Sequence, residues 1–164
     1  MQIGIQEQED RDFDWFCVDE VGEIGHFASA GFKRLPPSVS SSSEDLELIT
    51  NYFENAPIRG GHLVDRDLKE EVPDLDSRAM TYLQSYIAMA DRGMYSYDIQ
   101  SYLKPNAAYF RVALPSDPIR SVDLPEQIRL IVERTVLKGR LFRDSPRIRY
   151  EDTVSPATEL EARG

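Results

Sequence analysis

The chain has 164 residues, 41% hydrophobic and 29% charged, the balance of a globular domain rather than a disordered one. Acids outnumber bases 29 to 19, for a formal net charge of -10. That sign argues against non-specific nucleic-acid binding, which needs Lys and Arg to displace counterions. Cys17 is the only cysteine, so an intrachain disulfide framework is excluded, and no apolar run approaches the roughly 20 residues of a membrane span.

The start, Met1-Gln2-Ile3-Gly4-Ile5, has neither a basic nor an apolar leader region, so the expected location is cytoplasmic. The length suits one domain over 1–164, large enough to bury roughly 70% of its unfolded surface. Residues 1–12 are polar and acidic with a partial alternation at Ile3 and Ile5, and read as a mobile arm or a weak edge strand. Next, 14–19 and 24–28 are dense in β-formers around a turn at Val21-Gly22-Glu23, which predicts a hairpin. Apolar positions fall on both faces of these strands, so at least one is expected to be covered twice. Gly31, Pro36, Pro37 and the run Ser40 to Ser43 punctuate the chain.

Leu46, Ile49, Tyr52 and Phe53 recur at helical spacing and predict a helix over 44–54, with Ser41 or Ser43 as its N-cap. Residues 55–75 read as a long loop. Met80, Leu83, Ile87 and Ala90 make the stripe of a second helix, 77–92, which Asp76 would cap and Gly93 would terminate. Two strands follow, 94–99 and 108–114. Pro125 opens a third helix over 125–137, with Ile128, Ile131, Val132 and Val136 on its buried side. Leu141-Phe142 and Ile148-Tyr150 suggest a last hairpin, and 151–164 a frayed end. The pattern is α+β: an antiparallel sheet with a leading β-hairpin and about three helices. Trp15, Phe16, Val18, Phe110, Val112, Ile128, Ile131 and Val132 are expected in one core.

Few residues are equipped for chemistry. His62 with Asp65 and Asp67 offers imidazole and carboxylate ligands of the kind Mn or Fe takes, but the setting is that of a loop histidine among solvated charges. Cys17 and His26 are neighbours in the hairpin, where Asp14 or Asp19 could orient the imidazole as in a nucleophile set. Against that, Cys17 sits between Phe16 and Val18 with no base nearby, the setting of a packed thiol. Gly60-Gly61 lacks the Lys-Ser/Thr of a phosphate loop. The reading therefore assigns no catalytic residue, no cofactor and no structural metal. Lys138, Arg140, Arg143, Arg147 and Arg149 form a basic segment that would suit a phosphate or a carboxylate-rich partner, or simply offset the acidic N-terminus.

Three stretches carry a family resemblance: Asp14-Trp15-Phe16-Cys17-Val18-Asp19 running to Gly25-His26-Phe27 and Gly31-Phe32; Ala90-Asp91-Arg92-Gly93-Met94-Tyr95-Ser96-Tyr97-Asp98; and Tyr109-Phe110-Arg111-Val112-Ala113 with Leu124-Pro125 beyond. Together they cover about half of the chain, and no catalytic motif is among them. They resemble uncharacterised bacterial proteins, some similar to immunity proteins of polymorphic toxin systems. The resemblance implies a small cytoplasmic binding protein and assigns no residue a role. The expectation is a non-enzymatic protein that meets a basic partner, such as a toxin domain, through exposed acids, with Asp65, Asp67, Glu70 and Glu71 as candidate contacts. The alternatives are a small hydrolase or metal-dependent enzyme using His62 or Cys17 with His26, and a structural subunit of a larger assembly.

Overall fold

A computed structural model describes residues 1–31, 34–100 and 107–156. Phe32 and the end 157–164, invoked above, lie outside the described residues. Residues 1–12 hold a short helix, α1 (Ile5–Asp10), instead of an arm or strand. Two contacts fix it: Ile3 is buried and its amide donates to Ser40 O, and the Gln8 side chain bonds Ile3 O and the Leu35 amide.

The hairpin forms as expected. β1 (Asp14–Val18) and β2 (Ile24–Ala28) are antiparallel, with Trp15 opposite Phe27 and Phe16 opposite His26. Asp19 organises its turn: Oδ1 accepts the amides of Val21 and Glu23, and Gly22 takes a φ of 81° that a side chain would resist. After α2 (Pro37–Ser40), α3 (Ser43–Glu54) is capped by Ser42, between the two serines proposed, whose Oγ accepts the Asp45 amide at 3.1 Å.

The long loop is more ordered than its composition implies. It contains β3 (His62–Val64) and α4 (Leu68–Glu71), because Leu68, Val72 and Leu75 are buried as an apolar anchor. α5 (Leu75–Asp91) begins just before its expected start, and Asp76 is not its cap residue. It ends at Gly93, whose φ is 99°, with the amides of Gly93 and Met94 closing onto Ala90 O and Met89 O.

β4 (Tyr95–Ile99) and β5 (Tyr109–Pro115) follow as predicted. The third helix is shorter than expected. α6 (Glu126–Val132) stops, and Val136 enters β6 (Val136–Leu137), which pairs with Val18 of β1. The β-forming Thr135-Val136 and the available edge of β1 outweigh helical periodicity there.

The C-terminal hairpin is absent. Phe142–Asp144 is a 3₁₀ turn, and β7 (Arg147–Ile148) pairs with β5. Pro146 brings no amide to a hairpin, but its carbonyl accepts the Arg111 amide at 2.9 Å, which attaches the segment to β5. A further 3₁₀ turn, Tyr150–Asp152, and β8 (Thr153–Val154) paired to β6 occupy the first residues of the expected frayed end.

The fold is α+β, but the sheet is mixed rather than antiparallel. Its order is β3-β5-β4-β2-β1-β6-β8, with β7 also on β5. The pairs β2/β4 and β1/β6 are parallel, because long helical crossovers return the chain in its original direction. The described residues include six α-helical segments where about three were expected; α1, α2 and α4 are too short for periodicity to reveal.

Both faces of the central strands are covered, as their apolar pattern suggested. On one face α3 brings Phe53 to Phe16 (4.7 Å between ring centroids) and α5 brings Tyr86 towards His26. On the other, Trp15 stacks on Phe27 at 4.2 Å and Phe27 on Tyr97 at 4.8 Å, with Phe142 wholly buried beside them. The expected core residues are buried, except Ile131, which is half-buried. They fall into two clusters, however: Phe110 and Val112 pack with Leu68, Val72 and Tyr86 rather than with α6.

Candidate functional site

The hairpin and β4 place three side chains in a row on the helical face of the sheet. His26 Nε2 lies 2.7 Å from Asp14 Oδ1, and its Nδ1 lies 2.7 Å from Ser96 Oγ. A carboxylate only accepts, so Nε2 carries a proton; in a neutral ring Nδ1 then accepts from the Ser96 hydroxyl. Residue types match an Asp-His-Ser relay, but its polarity is reversed with respect to solvent. Ser96 is 0% exposed and His26 2%, whereas the Asp14 side chain is 42% exposed. The hydroxyl is sealed in the core and the carboxylate faces out, so the row delivers a fixed carboxylate rather than a nucleophile. Burial raises the Asp14 carboxyl, but the hydrogen bond and charge of His26 outweigh it and leave the group below its ordinary range.

Asp14 opens into a cleft of about 350 Å³ between α1 and α3. Ile3, Phe13 and Leu46 supply apolar walls, and Glu7, Asp12, Asp14 and Glu47 the acids. Among the described residues that line the cleft, Arg11 is the one base. It is occupied by Glu7 at 2.7 Å and lies over the Phe13 ring, and among the described residues no arginine pairs with Asp12, Asp14 or Glu47. An apolar wall beside carboxylates that no described arginine or lysine neutralises suits a long cationic side chain, whose stem packs while its head meets the acids. Sequence reasoning missed this site. Its acids were visible, but nothing local said that 7–14 and 43–51 line one cleft.

The expected sites are arranged differently. Cys17 stands opposite Gly25, one position out of step with His26, so the thiol and the imidazole lie on opposite faces of the sheet. Cys17 is wholly buried, and burial, with Asp19 adding to it, pushes the thiol well up and away from thiolate chemistry. Asp19 does not orient His26. Besides the turn amides it accepts the Phe142 amide at 3.1 Å, and burial raises its own carboxyl.

His62 pairs with Asp91 at 2.7 Å and not with Asp65 or Asp67. Among the described residues no group of three His, Cys, Asp or Glu side chains is placed to hold a metal. Of the four acids proposed as partner contacts, only Asp67 and Glu70 are exposed. Asp65 is buried and takes Arg111 Nε at 2.9 Å; the Glu71 side chain is 8% exposed and takes Arg147 and Gln100. Acids that composition placed in solvent are matched by arginines from β5 and β7.

No helix among the described residues is long and apolar enough to cross a membrane. Comparison with known proteins adds no identity: no family model, no curated protein and no solved structure matches the chain.

Proposed function

We propose that the chain is a non-enzymatic binding protein whose α1/α3 cleft receives a basic segment of a partner protein. The observation that carries this reading is Asp14: a half-exposed carboxylate, held from behind by the buried His26 and Ser96, in a cleft with Asp12, Glu47 and an apolar wall. The net charge of -10 adds long-range attraction for a basic molecule. The resemblance to immunity proteins makes a basic toxin domain the fitting partner, with neutralisation by direct contact as the outcome.

The test uses an arginine-bearing basic peptide as probe, with binding kinetics followed at two salt concentrations. Association is expected to slow steeply as salt rises, while dissociation changes less. The triple variant Asp12→Asn, Asp14→Asn, Glu47→Gln should weaken binding by at least about tenfold, as expected for lost charge-assisted bonds. Binding that ignores both salt and the triple variant would rule the cleft out as the interface.

A further inference from the structure

The basic segment 138–149 plays no part in the acidic cleft, yet the fold gathers much of it in one place. Arg140, Arg147 and Arg149 line a second cleft, of about 370 Å³, with Gln100 and Asp152 as the other polar groups among the described residues. Among the described residues, three arginines line it against one carboxylate, in a chain whose net charge is -10.

Two of the three are held in place. Arg140 donates from Nη1 to Asp152 Oδ2 at 3.1 Å and from Nη2 to Arg147 O at 2.7 Å. Arg147 pairs with Glu71, which also accepts Gln100 Nε2 at 3.0 Å. Asp152 Oδ2 further accepts the Arg149 amide at 2.8 Å. Asp152 and Glu71 thus serve as struts, and each arginine they fix keeps N–H groups to spare, since a guanidinium carries five. Arg149 is exposed, and among the described residues no carboxylate pairs with its guanidinium.

We propose that this cleft is a binding site for a phosphate-type oxyanion, with Arg149 as the principal donor and Arg140 and Arg147 as fixed neighbours. Planar guanidinium forks suit the several oxygens of a phosphate, and held forks lose less freedom on binding than mobile ones. Polymeric nucleic acid is disfavoured as its source by the acidic remainder of the molecule. The phosphate group is therefore either free or carried on a phosphorylated side chain.

The experiment is an NMR titration of the full chain with inorganic phosphate, and separately with a phosphoserine peptide, against chloride at matched ionic strength. Saturable shifts at the Ile148 and Arg149 amides and at the Arg149 Nε, with either probe, are expected. A response to phosphate alone identifies the free anion; a stronger response to the peptide identifies the modified side chain. Arg149→Ala should weaken binding at least tenfold, and Arg149→Lys, which keeps the charge and loses the fork, should fall between. Arg149 is exposed, so both variants test the site without disturbing the struts. Shifts that never saturate, that chloride reproduces, or that survive unchanged in Arg149→Ala would overturn the proposal.

Discussion

Asp14 opens the five-residue strand β1 and Asp19 follows it, and their surroundings push them in opposite directions. Burial raises both. At Asp14 the His26 contact outweighs burial and the carboxyl falls below its usual 3.8; at Asp19 burial and the nearby charge of Glu23 outweigh three backbone N–H donors and the carboxyl rises. The consequences for stability differ in sign. The contribution of Asp14 is present above its unfolded value and is lost as pH falls through the lower folded one. That of Asp19 is fully present below its unfolded value and is lost as pH rises through the higher folded one. Carboxyl-carbon NMR over an acid titration should place the Asp14 midpoint below 3.8 and the Asp19 midpoint above it, the reference value for both. The reverse order would mean that the His26 contact or the burial of Asp19 is misassigned.

Among the elements, those that bury a full stripe were legible in the sequence. The hairpin, α3, α5, β4 and β5 each bury enough side chains for periodicity to show. β3, β6, β7 and β8 are two or three residues long, too short for any pattern, and each exists only because a distant strand offers an edge. The candidate site divides the same way. Asp14 and His26 were visible as possible partners from their places in the hairpin, whereas Ser96 arrives through the parallel pairing of β2 with β4. Asp65 and Glu71 were misread for a related reason: composition signals exposure, and the arginines that cover them lie far along the chain.

One short element shows how closely the non-helical face is filled. A Cβ on Gly25 of β2 would stand 2.7 Å from the Phe142 ring and 2.9 Å from Phe27. Gly25→Ala should destabilise by about 1–3 kcal/mol through overpacking, measured by urea denaturation. Adding Phe142→Leu should recover part of the loss. A neutral Gly25→Ala would show that the 3₁₀ turn at 142–144 is not seated on β2.

At the scale of the whole molecule, Arg111 ties together parts that share no local sequence. It reaches from β5 to Asp65 at 2.9 Å and to the carbonyls of Phe142 at 2.6 Å and Arg143 at 2.9 Å. Both partners of the ion pair are close to buried, with side-chain exposures of 11% and 7%. Arg111→Ala strands the Asp65 carboxylate and should cost about 3–5 kcal/mol in a denaturant melt. The double variant with Asp65→Asn should cost less than the two single changes summed, because the pair is lost only once. A loss below about 1 kcal/mol for Arg111→Ala, the range of exposed pairs, would show that solvent screens the pair after all.

The strand order also fixes what can form early. The β1–β2 hairpin is local and closes within a few residues, but it lies in the middle of the sheet, and both of its outer edges pair in parallel with strands made much later. Non-local parallel pairing is slow, because a long loop must close before any contact rewards it. As the chain leaves the ribosome the hairpin therefore waits, with its Trp15/Phe27 face bare and two rows of backbone groups unpaired, until β4 and then β6 have been synthesised. That interval, rather than the finished fold, is where this acidic chain depends on its self-repulsion to stay single.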